Sequence, residues 1–184
     1  MAKEFTIGRQ VVYPAHGVGK ITDEEVQVVA GYEMPMFVVE FPKDQMTLRV
    51  PVNRAKESGL RVISGDDEVR VAMKTLMGRA RPGRGMWSRR AQEYENKINS
   101  GDIILIAEVV RDLHKNVDDP DRSYSERIIY ESALGRLAGE YAAVNEVSSE
   151  DATSNIVEIL KSRKTPANKD VAPLDVTQEE FEAA

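Results

Sequence analysis

The sequence contains no cysteine, few aromatic residues and no long hydrophobic run. The absence of cysteine excludes disulfides, thiolate metal sites and cysteine nucleophiles, and it fits a reducing compartment. Aromatic residues make up 6% of the chain and apolar residues 41%, so the cores are expected to be mainly aliphatic. The amino terminus Met1–Phe5 lacks the apolar run of a signal peptide, and no segment has the length of a membrane span. We therefore expect a cytoplasmic protein with no membrane partner.

Catalytic motifs are also missing. The sequence has no HExxH, GxSxG or Walker-type glycine loop. Of its two histidines, His16 lies in a turn and His114 at a helix end, and both are expected to be structural. The carboxylates are scattered along helices, as expected for solvated faces. We expect no catalytic residue, no metal site and no cofactor, and hence a protein that is not an enzyme.

Residues 1–63 are predicted to form a small SH3/Tudor-like β barrel. Val, Ile, Phe and Tyr are enriched in short segments that turn signals separate, which is typical of small barrels. In the last segment Met46, Leu48 and Val50 are expected to face a core, while the residues between them face outward. The predicted strands are Gln10–Tyr13, Val18–Ala30, Met36–Phe41 and Met46–Val50, with turns at Pro14–Gly17, Gly31–Pro35 and Pro42–Asp44.

Beyond Ser64 the apolar residues recur at helical spacing, which predicts a compact all-helical domain of about five helices over residues 64–164. The second helix is predicted over Trp87–Ile98 and the third over Ile103–His114. The fourth begins at a capping box, Ser123-x-x-Glu126. Residues 165–184 lose the apolar pattern and are predicted to form a disordered acidic tail. The fold class is thus α+β, with two domains and a tail. The core stripe predicted for the fourth helix is Ile128, Leu134, Leu137, Tyr141 and Val144.

The charge is distributed unevenly along the chain. The net charge is −6, but between Arg70 and Lys97 there are eight basic residues and only two acidic ones. Attraction to a polyanion depends on the local field, because salt screens charges beyond roughly 8–10 Å. The basic segment contains an arginine-glycine loop, whose glycines permit close approach while guanidinium groups pair with phosphates. It is therefore a candidate nucleic-acid contact, with Arg79, Arg81, Arg84, Arg89 and Arg90 as the candidate residues.

The only tryptophan, Trp87, stands at the end of this loop. Spacing alone leaves two interpretations open. It is either a core anchor of the helical domain or a planar side chain held at a basic surface, where it can stack on a base or wedge between bases.

In the β domain, Arg49 is expected to face outward from a strand that is otherwise apolar. It is either an ordinary exposed residue or, if this strand is an edge, part of a surface that accepts a partner strand. The sequence alone does not distinguish the two.

Five blocks of the sequence follow one another in a characteristic order: Ile7–Gly19, Thr47–Pro51, Trp87–Arg90, Ser100–Asp102 and Ala107–Leu113. In this order they closely resemble the CarD/CdnL family of bacterial transcription regulators that bind RNA polymerase. The resemblance extends from about Phe5 to Arg163, and the first block also resembles the polymerase-binding module of the transcription-repair coupling factor.

This resemblance implies a monomeric adaptor that works on the nucleoid through RNA polymerase holoenzyme with the housekeeping sigma factor. The first domain would bind the polymerase β subunit through Arg49, Thr47, Pro51 and Gln27. The helical domain would contact promoter DNA at the upstream edge of the bubble, with Trp87 inserted in the minor groove. Such an adaptor would stabilise the open complex and promote initiation at housekeeping and rRNA-type promoters.

Two positions depart from the family pattern. Some relatives carry a basic residue where this chain has Gln27, and others carry extra basic or aromatic residues at Ala91-Gln92. The polymerase contact at Gln27 is therefore expected to be weaker or differently made, and DNA affinity is expected to depend more on Arg79, Arg81 and Arg84.

The chain end and the binding mode leave further alternatives. The terminal Ala183-Ala184 resembles ends that bacterial ClpXP-type proteases recognise, although a plain disordered end also fits. A second hypothesis for the whole chain is a general nucleic-acid-binding module, with RNA as one possible target, which would bind without polymerase and with a steep salt dependence.

Overall fold

The computed structural model describes residues 4–114 and 123–163. A five-stranded antiparallel sheet is followed by five helices, so the predicted order of a β domain and then a helical domain is confirmed. A fifth short strand and a single 3-10 turn over Val52–Arg54 were not predicted. The strands are β1 (Gln10–Tyr13), β2 (Gly17–Val29), β3 (Tyr32–Phe41), β4 (Met46–Pro51) and β5 (Arg61–Val62).

The sheet has the strand order β4-β3-β2-β1-β5, which places β4 at one edge. Val39 of β3 lies opposite both Ile21 of β2 and Leu48 of β4, and these three side chains belong to the apolar core of the β domain. The core also dictates the glycine at position 19, because a Cβ there would lie 2.7 Å from the Phe41 ring. The prediction that Met46, Leu48 and Val50 face inward is confirmed.

The hairpin between β2 and β3 is tighter than predicted. Ala30 and Gly31 both have positive φ, 52° and 85°, which is the backbone of a two-residue turn between twisted strands. The predicted turn over Gly31–Pro35 is therefore wrong, because β3 already begins at Tyr32. Pro35 lies opposite Val26 of β2, but β4 ends opposite Met36, so Pro35 stands where β3 has only one neighbouring strand among the described residues.

The five helices enclose a second core, to which α3 and α4 contribute most of the buried residues. Ser123 caps α4 as predicted, by accepting a hydrogen bond from the Glu126 N–H at 3.2 Å. The helices are α1 (Asp66–Leu76), α2 (Trp87–Asn99), α3 (Ile103–His114), α4 (Tyr124–Asn145) and α5 (Ser149–Ser162).

Two expectations about the helices are wrong. Ile128 was placed in the core stripe of α4 but is 45% exposed, and the neighbouring Ile129 is buried in its place. The carboxylates were expected to be solvated, yet Asp112 and Glu140 are 5% and 2% exposed. Both buried carboxylates are ion-paired with an arginine, which compensates for the loss of hydration.

Among the described helices none is both long and apolar enough to cross a membrane. The predicted disorder of the tail over residues 165–184, including Ala183 and Ala184, lies outside the described residues.

Candidate functional site

Trp87 is the first residue of α2, and its indole is partly buried against the helical core. The indole N–H donates to the Ser125 hydroxyl of α4 at 2.9 Å, and the ring lies 6.4 Å from the Tyr94 ring. Because the only polar atom of the indole is already bonded, the part left at the surface is its apolar ring. The structure therefore combines the two interpretations of Trp87: it is anchored in the helical domain and still reaches the surface.

Arg89 and Arg90 differ in environment although they are adjacent in sequence. Arg90 stacks on the Trp87 ring, with its guanidinium carbon 5.4 Å from the ring centroid. Its side chain is 21% exposed and lies 4.0 Å from the Glu126 carboxylate. Arg89 is exposed. Arg90 thus supports the tryptophan by a cation–π contact, while Arg89 is the one that faces solvent.

The basic loop before α2 keeps its arginines at the surface. Arg79, Arg81 and Arg84 are exposed, and no ion pair within residues 4–114 and 123–163 neutralises them. The loop is fixed at its centre, where the Arg81 backbone N–H donates to the buried Asp112 carboxylate at 2.9 Å. Gly85 has a φ of +119°, a conformation that side chains rarely adopt, and this turn leads directly into α2.

The amino terminus of α2 adds to the positive character of this region. The N-cap residue, Met86, makes no side-chain capping bond, and no acidic residue lies in the first turn of the helix. The first backbone N–H groups of a helix have no intrahelical acceptor and carry a partial positive charge. They lie between the arginine loop and Arg89. We call this surface, consisting of the loop 79–85, the α2 amino terminus, Trp87 and Arg89, the basic face.

β4 is an edge strand. This is the condition under which Arg49 can belong to a surface that accepts a partner strand. Arg49 and Thr47 are exposed, while Pro51 is partly buried at the end of the strand. Since β4 pairs with β3 alone among the described residues, alternate backbone N–H and C=O groups along it face away from the sheet. We call this second surface, β4 with Arg49 and Thr47, the β4 edge.

Arg49 forms a hydrogen bond with Glu25, a residue that reasoning from sequence did not single out. Its Nε donates to Glu25 on β2 at 2.5 Å, and Gln27 donates to the same carboxylate oxygen at 2.6 Å. These two hydrogen bonds hold the pKa of Glu25 below its ordinary value, and the bond from Arg49 has the larger effect. The carboxylate therefore stays ionised and paired with Arg49 until the pH falls through that lowered pKa. Gln27 lies on β2, and it supports the pair instead of lying on the β4 edge.

Other residues were missed by reasoning from sequence. Ser125 was not singled out because its contact with Trp87 spans 38 positions along the chain. Met86, directly before Trp87, is 78% exposed, and Tyr124, directly before Ser125, is equally exposed. The exposure of these apolar side chains beside the indole was not predictable from spacing.

The two histidines make structural contacts. His16 Nδ1 lies 3.1 Å from the Asp44 carboxylate and its ring stacks on Tyr13, while His114 Nδ1 lies 2.8 Å from the Tyr130 hydroxyl. Across the described ranges, no three His, Asp or Glu side chains are grouped so that they could hold a metal ion.

Two known domain families match this chain, and together they define the class of protein to which it belongs. Residues 5–64 match the CarD-like/TRCF RID domain, and residues 71–167 match the CarD C-terminal domain. The matches correspond to the β domain and the helical domain described above. This combination defines a CarD-like transcription factor.

The chain belongs to the CarD family, and the resemblance inferred from the sequence blocks is confirmed. It is 26% identical over 154 residues to "Putative transcription factor YdeB" of Bacillus subtilis (strain 168), an alignment that covers 82% of this chain and 98% of that protein. It is also similar to the 72-residue N-terminal domain of Myxococcus xanthus CarD, solved by NMR in solution. The identity is 27%, the coverage 32% of this chain and 79% of that one, and the TM-score 0.29. The family is generally non-enzymatic.

Proposed function

We propose that this transcription factor is a non-enzymatic adaptor that stabilises the open promoter complex. It binds the β subunit of RNA polymerase holoenzyme, carrying the housekeeping sigma factor, through the β4 edge, and promoter DNA through the basic face. It acts as a monomer in the cytoplasm, at the nucleoid, and promotes initiation at housekeeping and rRNA-type promoters. The observation that carries the proposal is the partly buried Trp87 at the centre of a basic face whose exposed arginines form no ion pair within residues 4–114 and 123–163.

The basic face is suited to the edge of a DNA bubble. The exposed Arg79, Arg81, Arg84 and Arg89 can pair with phosphates, and phosphate contacts position a protein without reading sequence. Trp87 presents an apolar ring that needs no hydrogen bond from a base, since its N–H is taken by Ser125. An apolar wedge of this kind intrudes where bases are already unstacked. Its anchored position also lowers the entropy lost on binding.

Stabilisation follows from differential affinity. A protein that binds the open complex better than the closed one shifts the equilibrium by that difference and no more. A stacking contact worth about 1–3 kcal/mol changes the open-to-closed ratio by about five- to a hundredfold. One aromatic contact is therefore sufficient for a measurable effect on promoter opening.

The β4 edge is suited to a partner strand. Its outward backbone groups can supply main-chain hydrogen bonds, and the outward side chains Thr47 and Arg49 can supply specificity. The hydrogen bond to Glu25 fixes the Arg49 guanidinium on the outer face of the sheet. Pro51 cannot donate a backbone hydrogen bond, so it limits the length of strand that can be added.

The proposal is tested by co-purification of the full chain with RNA polymerase, followed by open-complex lifetimes with and without the protein. We expect co-purification and a longer lifetime, together with weak binding to free DNA because one basic face makes few phosphate contacts. Tight binding to free DNA or RNA without polymerase, with a steep salt dependence, would instead identify a general nucleic-acid-binding module.

The terminal Ala183-Ala184 leads to a separate proposal, recognition by a ClpXP-type protease. Replacing both alanines with aspartate is expected to lengthen the half-life of the protein in cells, because a charged end removes the recognised feature. The measurement is decay after translation is stopped, in cells with and without the protease. The proposal fails if both forms decay at the same rate.

A further inference from the structure

Glu140 is a buried carboxylate near the carboxyl end of α4, and its partner lies in the β domain. It is 2% exposed. Arg61 of β5 binds it with two parallel hydrogen bonds, Nη1 to Oε1 and Nη2 to Oε2, each 2.7 Å long. The Ser64 backbone N–H adds a third bond to Oε1 at 2.9 Å. The carboxylate is thus bonded on both oxygens, with two of its bonds coming from a strand of the other domain.

The Arg61 guanidinium also bonds to a second part of the helical domain. Its Nε donates to the Gly101 carbonyl oxygen at 2.9 Å, in the turn between α2 and α3. Gly101 has a φ of +73°, and a Cβ on it would lie 3.2 Å from the Pro14 ring of the β domain. Arg61 therefore connects β5 to two elements of the helical domain at once, and only glycine fits at the second.

Further contacts between the domains lie on the same side of α4. Arg136, one turn before Glu140, donates to the Ala15 carbonyl oxygen at 2.9 Å, and burial lowers its pKa from the ordinary value. A Cβ on Gly135 would lie 2.8 Å from the Lys43 ammonium, the far end of a flexible side chain. The β domain is thus bonded to α4 at Arg136 as well as at Glu140.

The other end of α4 holds the indole of the basic face. Ser125 accepts the Trp87 N–H, and Glu126 lies beside Arg90. Ser125 and Glu140 are fifteen positions apart on one uninterrupted helix, a separation of about 22 Å at 1.5 Å per residue. One helix therefore joins the site that positions Trp87 to the site that binds the β domain.

We infer that Arg61 and Glu140 are positioning residues, which fix Trp87 at one distance and direction from the β4 edge. The inference rests on the proposed function. Two parallel hydrogen bonds between a planar guanidinium and a carboxylate define one relative orientation of the two residues, and here the carboxylate side of the pair is buried. With the domains fixed, polymerase bound at the β4 edge presents the indole to one point on the DNA. With the domains loose, the indole samples many points and its local concentration at the bubble edge falls.

The test is a distance measurement combined with open-complex kinetics. Since the chain has no cysteine, cysteines introduced at the exposed positions Asn53 and Asn155 can carry one spin label in each domain. We expect a single narrow distance distribution in the parent protein and a broad one in the variant Glu140→Gln. We expect the open-complex lifetime to fall by about two- to thirtyfold, while affinity for polymerase stays unchanged.

The matched control is Glu108→Gln, which removes an ion pair inside the helical domain, where Lys97 lies 2.9 Å from Glu108. It should keep the narrow distribution and the long lifetime. If Glu140→Gln does not fold, Arg61→Lys takes its place, since lysine keeps the charge but cannot bind both carboxylate oxygens in a planar fork.

Two outcomes overturn the inference. One is a distribution that stays narrow in the Glu140 or Arg61 variant, whatever the lifetime. The other is a broad distribution with an unchanged lifetime. The spin-label measurement needs neither polymerase nor DNA, so a failure of the proposed function, in which the parent protein does not lengthen the lifetime at all, is distinguishable from both.

Discussion

Replacing Trp87 with alanine is expected to shorten the lifetime of the open promoter complex by about five- to a hundredfold relative to the unchanged protein. The indole is the planar aromatic ring that the basic face can insert beside an unpaired base, and alanine cannot replace it. Binding to polymerase should be unaffected, because the β4 edge lies in the other domain. The measurement is the decay of competitor-resistant open complexes, with polymerase affinity determined in parallel.

The Trp87 variant must be separated from a folding defect, since the indole also packs on the helical core. Ile98 is a suitable control because it lies on the same helix and is 4% exposed. Ile98→Ala is expected to cost about 2–5 kcal/mol of folding stability and to leave the lifetime unchanged at temperatures where it is folded. If Trp87→Ala unfolds the helical domain, or if both variants shorten the lifetime equally, the indole acts as a core anchor only.

Replacing Arg49 with glutamate is expected to weaken polymerase binding by about thirtyfold or more. The change removes the guanidinium from the β4 edge and places a second carboxylate beside Glu25. In the unchanged protein, Glu25 accepts a hydrogen bond from Arg49. The Arg49 side chain is 48% exposed, and exposed ion pairs contribute only about 0–1 kcal/mol to stability. The β domain should therefore stay folded. Co-purification and a titration with polymerase measure the effect.

The control for Arg49 is Arg54→Glu, another charge reversal in the β domain. Arg54 is 75% exposed, lies outside β4, and forms an ion pair at 4.0 Å with Glu57, three positions along the chain. The Arg54→Glu variant should bind polymerase as the unchanged protein does. Equal losses in the two variants would mean that the overall charge of the domain matters and the β4 edge does not.

The elements that were predicted correctly depend on local patterns. Alternation along β4 was enough to place Met46 and Leu48 on the core side, because successive side chains of a strand point to opposite faces. The capping box at Ser123 was enough to locate the start of α4. β5 has only two residues, which is too short for any periodicity, so it could not be predicted.

The interface between the domains was not predictable for a physical reason. The two charges that define it are 79 positions apart, and nothing local distinguishes Glu140 from a solvated carboxylate. The residues of α4 that bond to the β domain, Arg136 and Glu140, are charged, so helical periodicity of apolar residues does not reveal this face. A helix that packs on both sides has no single apolar stripe, which is why Ile128 was misplaced in the core.

The candidate site was predicted in part. Its residue types follow from sequence, since Trp87 and the arginine loop are adjacent along the chain. The different roles of the two neighbouring arginines do not follow from sequence, because Arg90 stacks on the indole while Arg89 faces solvent. The support from Ser125 and the pairing of Arg49 with Glu25 both depend on tertiary contacts.

The adaptor account is tested most directly by mixing two variants. Arg49→Glu retains the basic face and Trp87→Ala retains the β4 edge, so an equimolar mixture contains both surfaces on separate molecules. An adaptor needs both on one molecule, and we therefore expect the mixture to give an open-complex lifetime no longer than Trp87→Ala alone. A mixture that restores the lifetime seen with the unchanged protein would contradict the account.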